Sequence, residues 1–359
     1  MYSGSLYNSR INTVHVPKIL KYLEYICYVI LLFVVIPIHI HSPTRDEILF
    51  EKYIAKFNKT YANEEVYNQR LQAFMLSLQT IEELNGNKTN MSAQYGLTKY
   101  SDLLPEEFVK LRLLPNLSSY IAKDFKVSQR NAPRYRRSMK LRIKIPQTID
   151  WRKKNAVTKV QNQGSCGACW AFSAVGVIES MYAIKTGKLV AFSIQEMIDC
   201  SKYDEGCDGG DIYSLLRWMK TFNVTVVKDE VYPLSLSKGT CKGNYSEGIH
   251  IKAFDCGSYI DSEDLILALV ALNGPVAVAI NAQSWQNYVG GTIQYHCSDD
   301  PLSINHAVQI VGYDLTAPVP YYIVKNSWGD EFGMDGYLQI AVGQNLCGLA
   351  YEVCAIQLL

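Results

Sequence analysis

The sequence predicts an α+β chain, a two-lobed domain with helices first and strands second, set behind a separate helical segment. Three observations carry this reading. One long helical pattern runs from Cys169 to about Lys185, with helical patches after it at Ser193–Asp199 and Asp211–Lys220. After Ile251 the pattern turns to strands, at Val276–Ile280, Ala307–Tyr313, Tyr321–Lys325 and Tyr337–Val342. The charge balance also changes sign. Residues 1–144 hold 21 Lys/Arg against 12 Asp/Glu, and residues 145–359 hold 14 against 22. Opposite potentials of this kind attract and orient two segments. With 359 residues, 48% of them hydrophobic and 19% charged, the chain is globular and exceeds one average domain. A net charge of +1 leaves no footprint of a nucleic-acid binder.

Taken in order, the chain opens on a leader at 1–42. Tyr25 to Ile40 carries no charged side chain, behind Arg10, Lys18 and Lys21. It reads as the apolar core of a secretory signal, short for a membrane span and interrupted by Pro37. No A-x-A-like cleavage site follows at His39-Ile40-His41-Ser42, so cleaved signal and uncleaved anchor both remain open. Residues 43–144 form the second segment. Leu49, Tyr53 and Phe57 recur four apart, then Arg70, Phe74, Ser77, Ile81 and Asn85 follow at helical spacing, with Gly86 as a stop. Gln94–Tyr100 reads as a short strand. Gln129–Lys144 holds seven Lys/Arg and reads as an exposed, cleavable linker, in which Arg134-Tyr135-Arg136-Arg137 resembles a proprotein-convertase site. Residues 145–359 are the two-lobed domain, where Gly187 stops the long helix.

Of ten cysteines, Cys27 lies in the leader and nine stand at or after Cys166. Behind a secretory leader that density implies a disulfide framework, and the odd count leaves one candidate reactive thiol. Sequons at Asn58, Asn87, Asn90, Asn116, Asn223 and Asn244 fit an extracytoplasmic chain.

Cys169 opens the long helix, where unpaired N–H groups and the helix dipole favour an anion and so lower a thiol pKa. The spacing of Cys166 and Cys169 also suits a redox pair or half a metal site, but Cys200 and Cys207, seven apart, supply no matching half. No metal and no cofactor are expected. A catalytic thiolate needs a proton partner. Of His250, His296 and His306, the last opens an apolar strand and projects from a rigid element, whereas His296 abuts Cys297 in a loop. Asn326, in Lys325-Asn326-Ser327-Trp328-Gly329, can accept from the ring nitrogen that does not face sulfur, under Trp328 as a roof. Gln163, six residues before Cys169, can join the Cys169 amide in holding an oxyanion.

The run Gln163-Gly164-Ser165-Cys166-Gly167-Ala168-Cys169-Trp170, with His306 and Asn326 downstream, resembles the papain family of cysteine peptidases. The resemblance runs from about Asp46 to Leu359. Arg70, Phe74, Ile81 and Asn85 match the family's precursor helix, while Val66 and Ser77 depart from it and point away from the cathepsin L type. Gly96-x-Thr98-x-Tyr100-x-Asp102 is similar to a second precursor motif, and Ile145-Pro146 before Asp150-Trp151-Arg152 to the mature start. Three further stretches, Ala183-Ile184-Lys185, Val227-Lys228-Asp229 and Ser284-Trp285-Gln286-Asn287-Tyr288, resemble one particular branch.

What the resemblance implies is a papain-like fold, with a helical left lobe and a β-barrel-like right lobe, behind a helical inhibitory propeptide. It implies hydrolysis of extended peptides, a zymogen inhibited by its own propeptide, cystatin-type inhibitors as partners, and a secretory route to the lysosome or the cell exterior. It implies the pairs Cys166–Cys207, Cys200–Cys241 and Cys297–Cys347. Cys256 and Cys354, which the family usually lacks, are then left to pair, and Cys169 stays free. It implies a cleft wall at Gly209 and Gly210, and a pocket for the P2 side chain with Asp211 and Ile212 at its rim, Ala279, Ile304 and Ala307 along it, and Glu352 at its floor. Two competing readings are a binding protein on an inactive peptidase fold and an inhibitor acting through residues before Lys144. The presence of Gln163, Cys169, His306 and Asn326 together disfavours the first.

Overall fold

A computed structural model of the chain describes residues 21–23, 25–28, 44–86, 92–114, 117–119, 144–243, 245 and 247–359. The chain divides into two compact units, Met1–Glu51 and Lys52–Leu359. The second holds everything that bears on the site. Most of the apolar leader and the basic linker at 129–143 lie outside the described residues.

Before the linker the elements are α1 (Arg45–Phe57), α2 (Glu64–Asn85), β1 (Gln94–Tyr95) and α3 (Pro105–Arg112). Asn63 caps α2 by accepting from the Val66 amide. Only two residues of the expected strand 94–100 are extended. The rest is spent on anchoring: Thr98 Oγ1 donates to Gln286 O and Ser101 Oγ to Asn287 Oδ1, both at 2.6 Å, which pulls the backbone out of a strand and into turns. β1 pairs antiparallel with β5 (Tyr288–Gly290), and the two form a separate two-stranded sheet that ties this segment to the domain.

The domain begins at β2 (Thr148–Asp150). Its helical lobe consists of α4 (Cys169–Thr186), α5 (Ile194–Cys200) and α6 (Ile212–Thr221). α4 ends at Gly187, which takes the left-handed conformation (φ 72°) that a side chain would strain. α4 is apolar nearly all round, and thirteen of its residues are buried, which makes it the central helix of this lobe. The other lobe is an eight-stranded sheet in the order β3-β10-β4-β7-β8-β9-β6, with β2 added on β7. Its remaining strands are β3 (Ile251–Gly257), β4 (Val276–Ile280), β6 (Thr292–Ile293), β7 (His306–Asp314), β8 (Tyr321–Lys325), β9 (Tyr337–Ala341) and β10 (Val353–Leu358), with α7 (Glu263–Leu272) packed beside β7. Among these pairs only β6–β9 is parallel.

Each lobe has its own core. Trp285, Trp328, Phe332 and the inner faces of β4, β7, β8 and β9 form one. Cys169, Trp170 and the buried faces of α4 and α6 form the other. The segment before the linker contributes to both. Tyr100, Phe108 and Leu113 enter the sheet core, and Leu114 and Leu117 enter the helical core. Leu113 and Leu114 are neighbours in sequence, so the chain crosses from one lobe to the other between them. The attachment is mainly apolar and backbone-mediated. The opposite charge balance contributes the exposed pair Lys99–Glu331 at 3.2 Å, which is worth little in solvent.

Candidate active site

Cys169 is the first residue of α4. The loop before it is held by the Cys166–Cys207 disulfide and by the Gly167 amide donating to Cys207 O at 2.8 Å. Gly167 is required here, because a Cβ would stand 2.6 Å from Cys207 O and 2.7 Å from Leu114 Cδ2. The bridge to Cys207 removes the redox-pair alternative for Cys166, and Cys169 is in no disulfide. Its sulfur faces the amides of Ala307, Trp170 and Cys169, which favour the thiolate. Burial outweighs them and pushes the thiol up to about 12.

Ala307 directly follows His306, so the amide at the sulfur places the thiol at the start of β7. His306 is fully buried, opposite Ile280 of β4. Its Nε2 is 2.8 Å from Asn326 Oδ1, and its Nδ1 has no hydrogen-bond partner among the described residues. The Trp328 ring lies 4.9 Å away, inclined by 33°, and covers the imidazole–amide contact. Burial lowers the His306 pKa to about 4; the Asn326 contact opposes this and the Arg112 cation adds to it. With the cleft covered, the favoured state is neutral thiol beside neutral imidazole.

Gln163 is buried, and its Nε2 donates to Cys166 O at 3.1 Å and to Arg112 O at 3.4 Å. Two backbone carbonyls thus engage the Gln163 side-chain amide, one of them from the segment before the linker. Ser327 is a site residue that the sequence did not single out. Its hydroxyl donates to Gln163 Oε1 at 2.6 Å, its carbonyl accepts the Gln163 amide at 2.8 Å, and its amide donates to Asn326 Oδ1 at 2.8 Å. It thereby fixes which face of each amide looks into the cleft. Its position next to Asn326 was the one available signal.

The wall residues divide by location. Ile212, Ala279, Ile304 and Ala307 are buried in one apolar cluster with Leu114, Leu117 and Cys169. Gly210 packs on Trp170, where a Cβ would stand 2.6 Å from the ring, and Gly209 before it takes φ 140°. Asp211 is buried and caps α6 through the Ser214 amide at 3.0 Å, so its carboxylate has a structural task at the rim. Glu352 is 6% exposed, and its Oε1 accepts from the Tyr213 amide at 3.2 Å, in the first turn of α6. The side chain therefore faces the helical lobe. Of the other histidines, His296 is exposed and near Tyr95, and His250 lies beside Thr225; neither adjoins Cys169.

The structure also contains Cys200–Cys241, Cys297–Cys347 and Cys256–Cys354. Cys256 and Cys354 face each other across β3 and β10. Asn58 and Asn223 are exposed; Asn87, Asn90, Asn116 and Asn244 lie outside the described residues. Among the described residues, no cluster of three or more His, Cys, Asp or Glu side chains could hold a metal, and no helix is long and apolar enough to cross a membrane.

Residues 145–357 match the papain family of cysteine proteases, and residues 50–108 match the cathepsin propeptide inhibitor domain. The chain belongs to the papain family, as a cysteine protease that carries its own inhibitory prosegment. The three stretches noted in the sequence resemble cathepsin O. The chain is 40% identical to cathepsin O of Homo sapiens over 79% of its length and 86% of that protein. It is 38% identical to cathepsin O of Mus musculus, over 74% and 83%. Among solved structures it resembles the precursor of stem bromelain, with a TM-score of 0.72, 29% identity and coverage of 88% and 99%. It also resembles procathepsin L2 from the midgut of Tenebrio molitor, with a TM-score of 0.74, 28% identity and coverage of 87% and 99%.

Proposed function

We propose that this protease is an endopeptidase whose nucleophile is Cys169 and whose general base and acid is His306. The observation that carries the reading is one constellation: a thiol at the first turn of α4, directed at the start of β7, where His306 sits with its far nitrogen 2.8 Å from Asn326. His306 takes the proton of the Cys169 thiol, and the thiolate sulfur attacks the scissile carbonyl carbon. The carbonyl oxygen becomes an oxyanion, met by Gln163 Nε2 and the Cys169 amide. As the C–N bond breaks, the imidazolium gives its proton to the leaving amine and an acyl-enzyme remains. His306 then takes a proton from water, whose oxygen attacks the thioester. The C–S bond breaks and the acid product leaves.

The same reading covers the surroundings. Residues 43–144 act as propeptide and 145–359 as mature enzyme, with processing at Arg134–Arg137 or by self-cleavage. The substrate lies along Gly209 and Gly210, and its P2 side chain enters between Ile212, Ala279, Ile304 and Ala307 toward Glu352. A carboxylate at the end of an apolar slot suits P2 Arg or Lys as well as Leu or Val. The six sequons, the four disulfides and the apolar leader support a secretory route, ending in the lysosome or outside the cell. Cystatin-type inhibitors are the expected protein partners. The test is turnover of an extended peptide by the processed enzyme, with Cys169→Ala beside it. The reading expects full loss of turnover in a folded variant, and residual turnover by Cys169→Ala refutes it.

A further inference from the structure

A cavity of about 440 Å³, lined by none of the residues proposed for catalysis, opens at the C-terminal end of α6. Its walls leave polar groups without partners. Trp218 of α6 is 4% exposed, and its Nε1–H meets no hydrogen-bond acceptor among the described residues. His250 has no partner there at Nδ1, and its Nε2 reaches Thr225 Oγ1 only at 3.4 Å. Glu196 of α5 is buried in the same wall, with Oε2 accepting from the Val227 amide at 3.0 Å. Burial pushes its carboxyl up to about 7. A buried donor left unpaired costs more than a typical hydrogen bond contributes, so this lining favours a ligand that accepts from Trp218. An anion would meet the Glu196 carboxyl. A cation would meet Lys202, which lines the cavity with its Nζ 5.1 Å from the Phe222 ring centre. The chemistry that remains is a neutral ring. Its hydroxyl and amide groups suit Trp218, Glu196 and His250, and its apolar C–H face suits the aromatic side chains.

A ring of that kind has a point of attachment at the cavity. Asn223 is exposed, lines the cavity and begins the sequon Asn223-Val224-Thr225. Its φ of 49° forms the left-handed turn that ends α6, with the Val224 amide donating to Met219 O at 2.9 Å. That turn accounts for an asparagine but asks nothing of Thr225. We propose that the cavity is the seat of the first N-acetylglucosamine of a glycan on Asn223, with an acetamide or hydroxyl oxygen of the sugar accepting from Trp218 Nε1. The proposal rests on the reading of the chain as secretory. The linkage joins Asn223 Nδ2 to C1 of the sugar, with loss of one amide proton and of the diphosphate carrier of the oligosaccharide donor. A glycan of another protein offers the same chemistry. The attachment at Asn223 gives the chain's own sugar a high effective concentration at the cavity. Seated there, the sugar braces the end of α6 against Glu196 and His250 and becomes a fixed part of the helical lobe.

The reference for the test is the full chain with Cys169→Ser, which prevents self-cleavage, and Asn244→Gln, which removes the sequon nearest in sequence. It is secreted with high-mannose glycans and trimmed by endoglycosidase H to a single sugar at each occupied sequon. Mass spectrometry of the peptide holding Asn223 is expected to show that sugar. A bare Asn223 beside glycans at other sequons overturns the inference alone, whereas glycans at no sequon overturn the secretory reading. Asn223→Asp removes the sugar and keeps a residue that tolerates the left-handed turn. Its Tm is expected about 2–6 °C below the reference. Trp218→Phe removes the N–H and keeps a ring. It should lower the Tm by about 2–6 °C more with the sugar present than in the Asn223→Asp background. Equal shifts in the two backgrounds overturn the inference. Equal shifts together with Trp218-dependent binding of added chitobiose by the Asn223→Asp chain overturn it in favour of a glycan from another protein. If Trp218→Phe is not secreted, amide hydrogen exchange at 247–250 decides alone: it should be slower in the reference than in Asn223→Asp, and equal exchange overturns the inference.

Discussion

Replacing Asn326 by Ala removes the acceptor at His306 Nε2 and leaves the ring otherwise covered. The contact is 2.8 Å long and buried beneath Trp328, so water cannot readily take the place of the lost oxygen. In the mechanism proposed above the ring becomes an imidazolium. A buried hydrogen bond to a charged group contributes about 1.5–3 kcal/mol. Kcat/KM should therefore fall about 10- to 150-fold, mainly through kcat, because Asn326 is buried and would act through His306. The pH profile should move as well. Asn326 raises the His306 pKa, so its loss should shift the alkaline limb, where the imidazolium deprotonates, toward lower pH. The assay is steady-state hydrolysis of a fluorogenic dipeptide amide from pH 4 to 9. Thermal denaturation controls for the Ser327 amide that loses the same acceptor. Kcat/KM within twofold of wild type, with an unmoved alkaline limb, would refute the assignment of Asn326 as the orienting group.

Three other outcomes are expected. Glu352→Gln should lower the ratio of kcat/KM for P2-Arg over P2-Leu substrates, and an unchanged ratio would show that the carboxylate serves only the Tyr213 amide. Replacing Cys256 and Cys354 together by Ser should destabilise the processed enzyme by about 2–5 kcal/mol, read from guanidinium unfolding, since the bridge closes a 98-residue separation between adjacent strands. Leu114→Ala in the full chain should weaken autoinhibition at neutral pH by an amount typical of a buried leucine, about 2–5 kcal/mol, read as earlier probe labelling of Cys169.

The elements legible in the sequence were those with clear local signals. The periodic run after Cys169 ends in Gly187, and Val276–Ile280 and Tyr321–Lys325 are short β-branched or aromatic runs; all three are found at those positions. α7 was not read, because Glu263–Leu272 is nearly continuous in Ile, Leu, Val and Ala, and a short apolar run does not distinguish helix from buried strand. Gln94–Tyr100 looked like a strand because its neighbours Gln286 and Asn287 are nearly two hundred residues away and leave no local trace. Partners 50 and 52 residues away likewise hid Arg112. A basic residue before a leucine pair looks like solvated surface until the fold brings Gly164 and Asn162 to its guanidinium. The residues now proposed for catalysis were visible as motifs, whereas the links among them through Ser327 depend on the two lobes meeting.

The rate of Cys169 alkylation against pH, measured on the full chain and on the processed enzyme with one small alkylating reagent, tests the central claim most directly. In the closed chain, burial holds the thiol near 12 and His306 near 4, so alkylation should be negligible at pH 6. In the processed enzyme, water and the freed imidazole should stabilise the thiolate through the α4 terminus and the imidazolium, as an activated thiol requires. Alkylation there should already be fast at pH 6 and should form a plateau across several pH units. His306→Gln should abolish that plateau. A processed enzyme whose Cys169 alkylates with a single transition near the ordinary thiol value of about 8.5, unaffected by His306→Gln, would contradict the account.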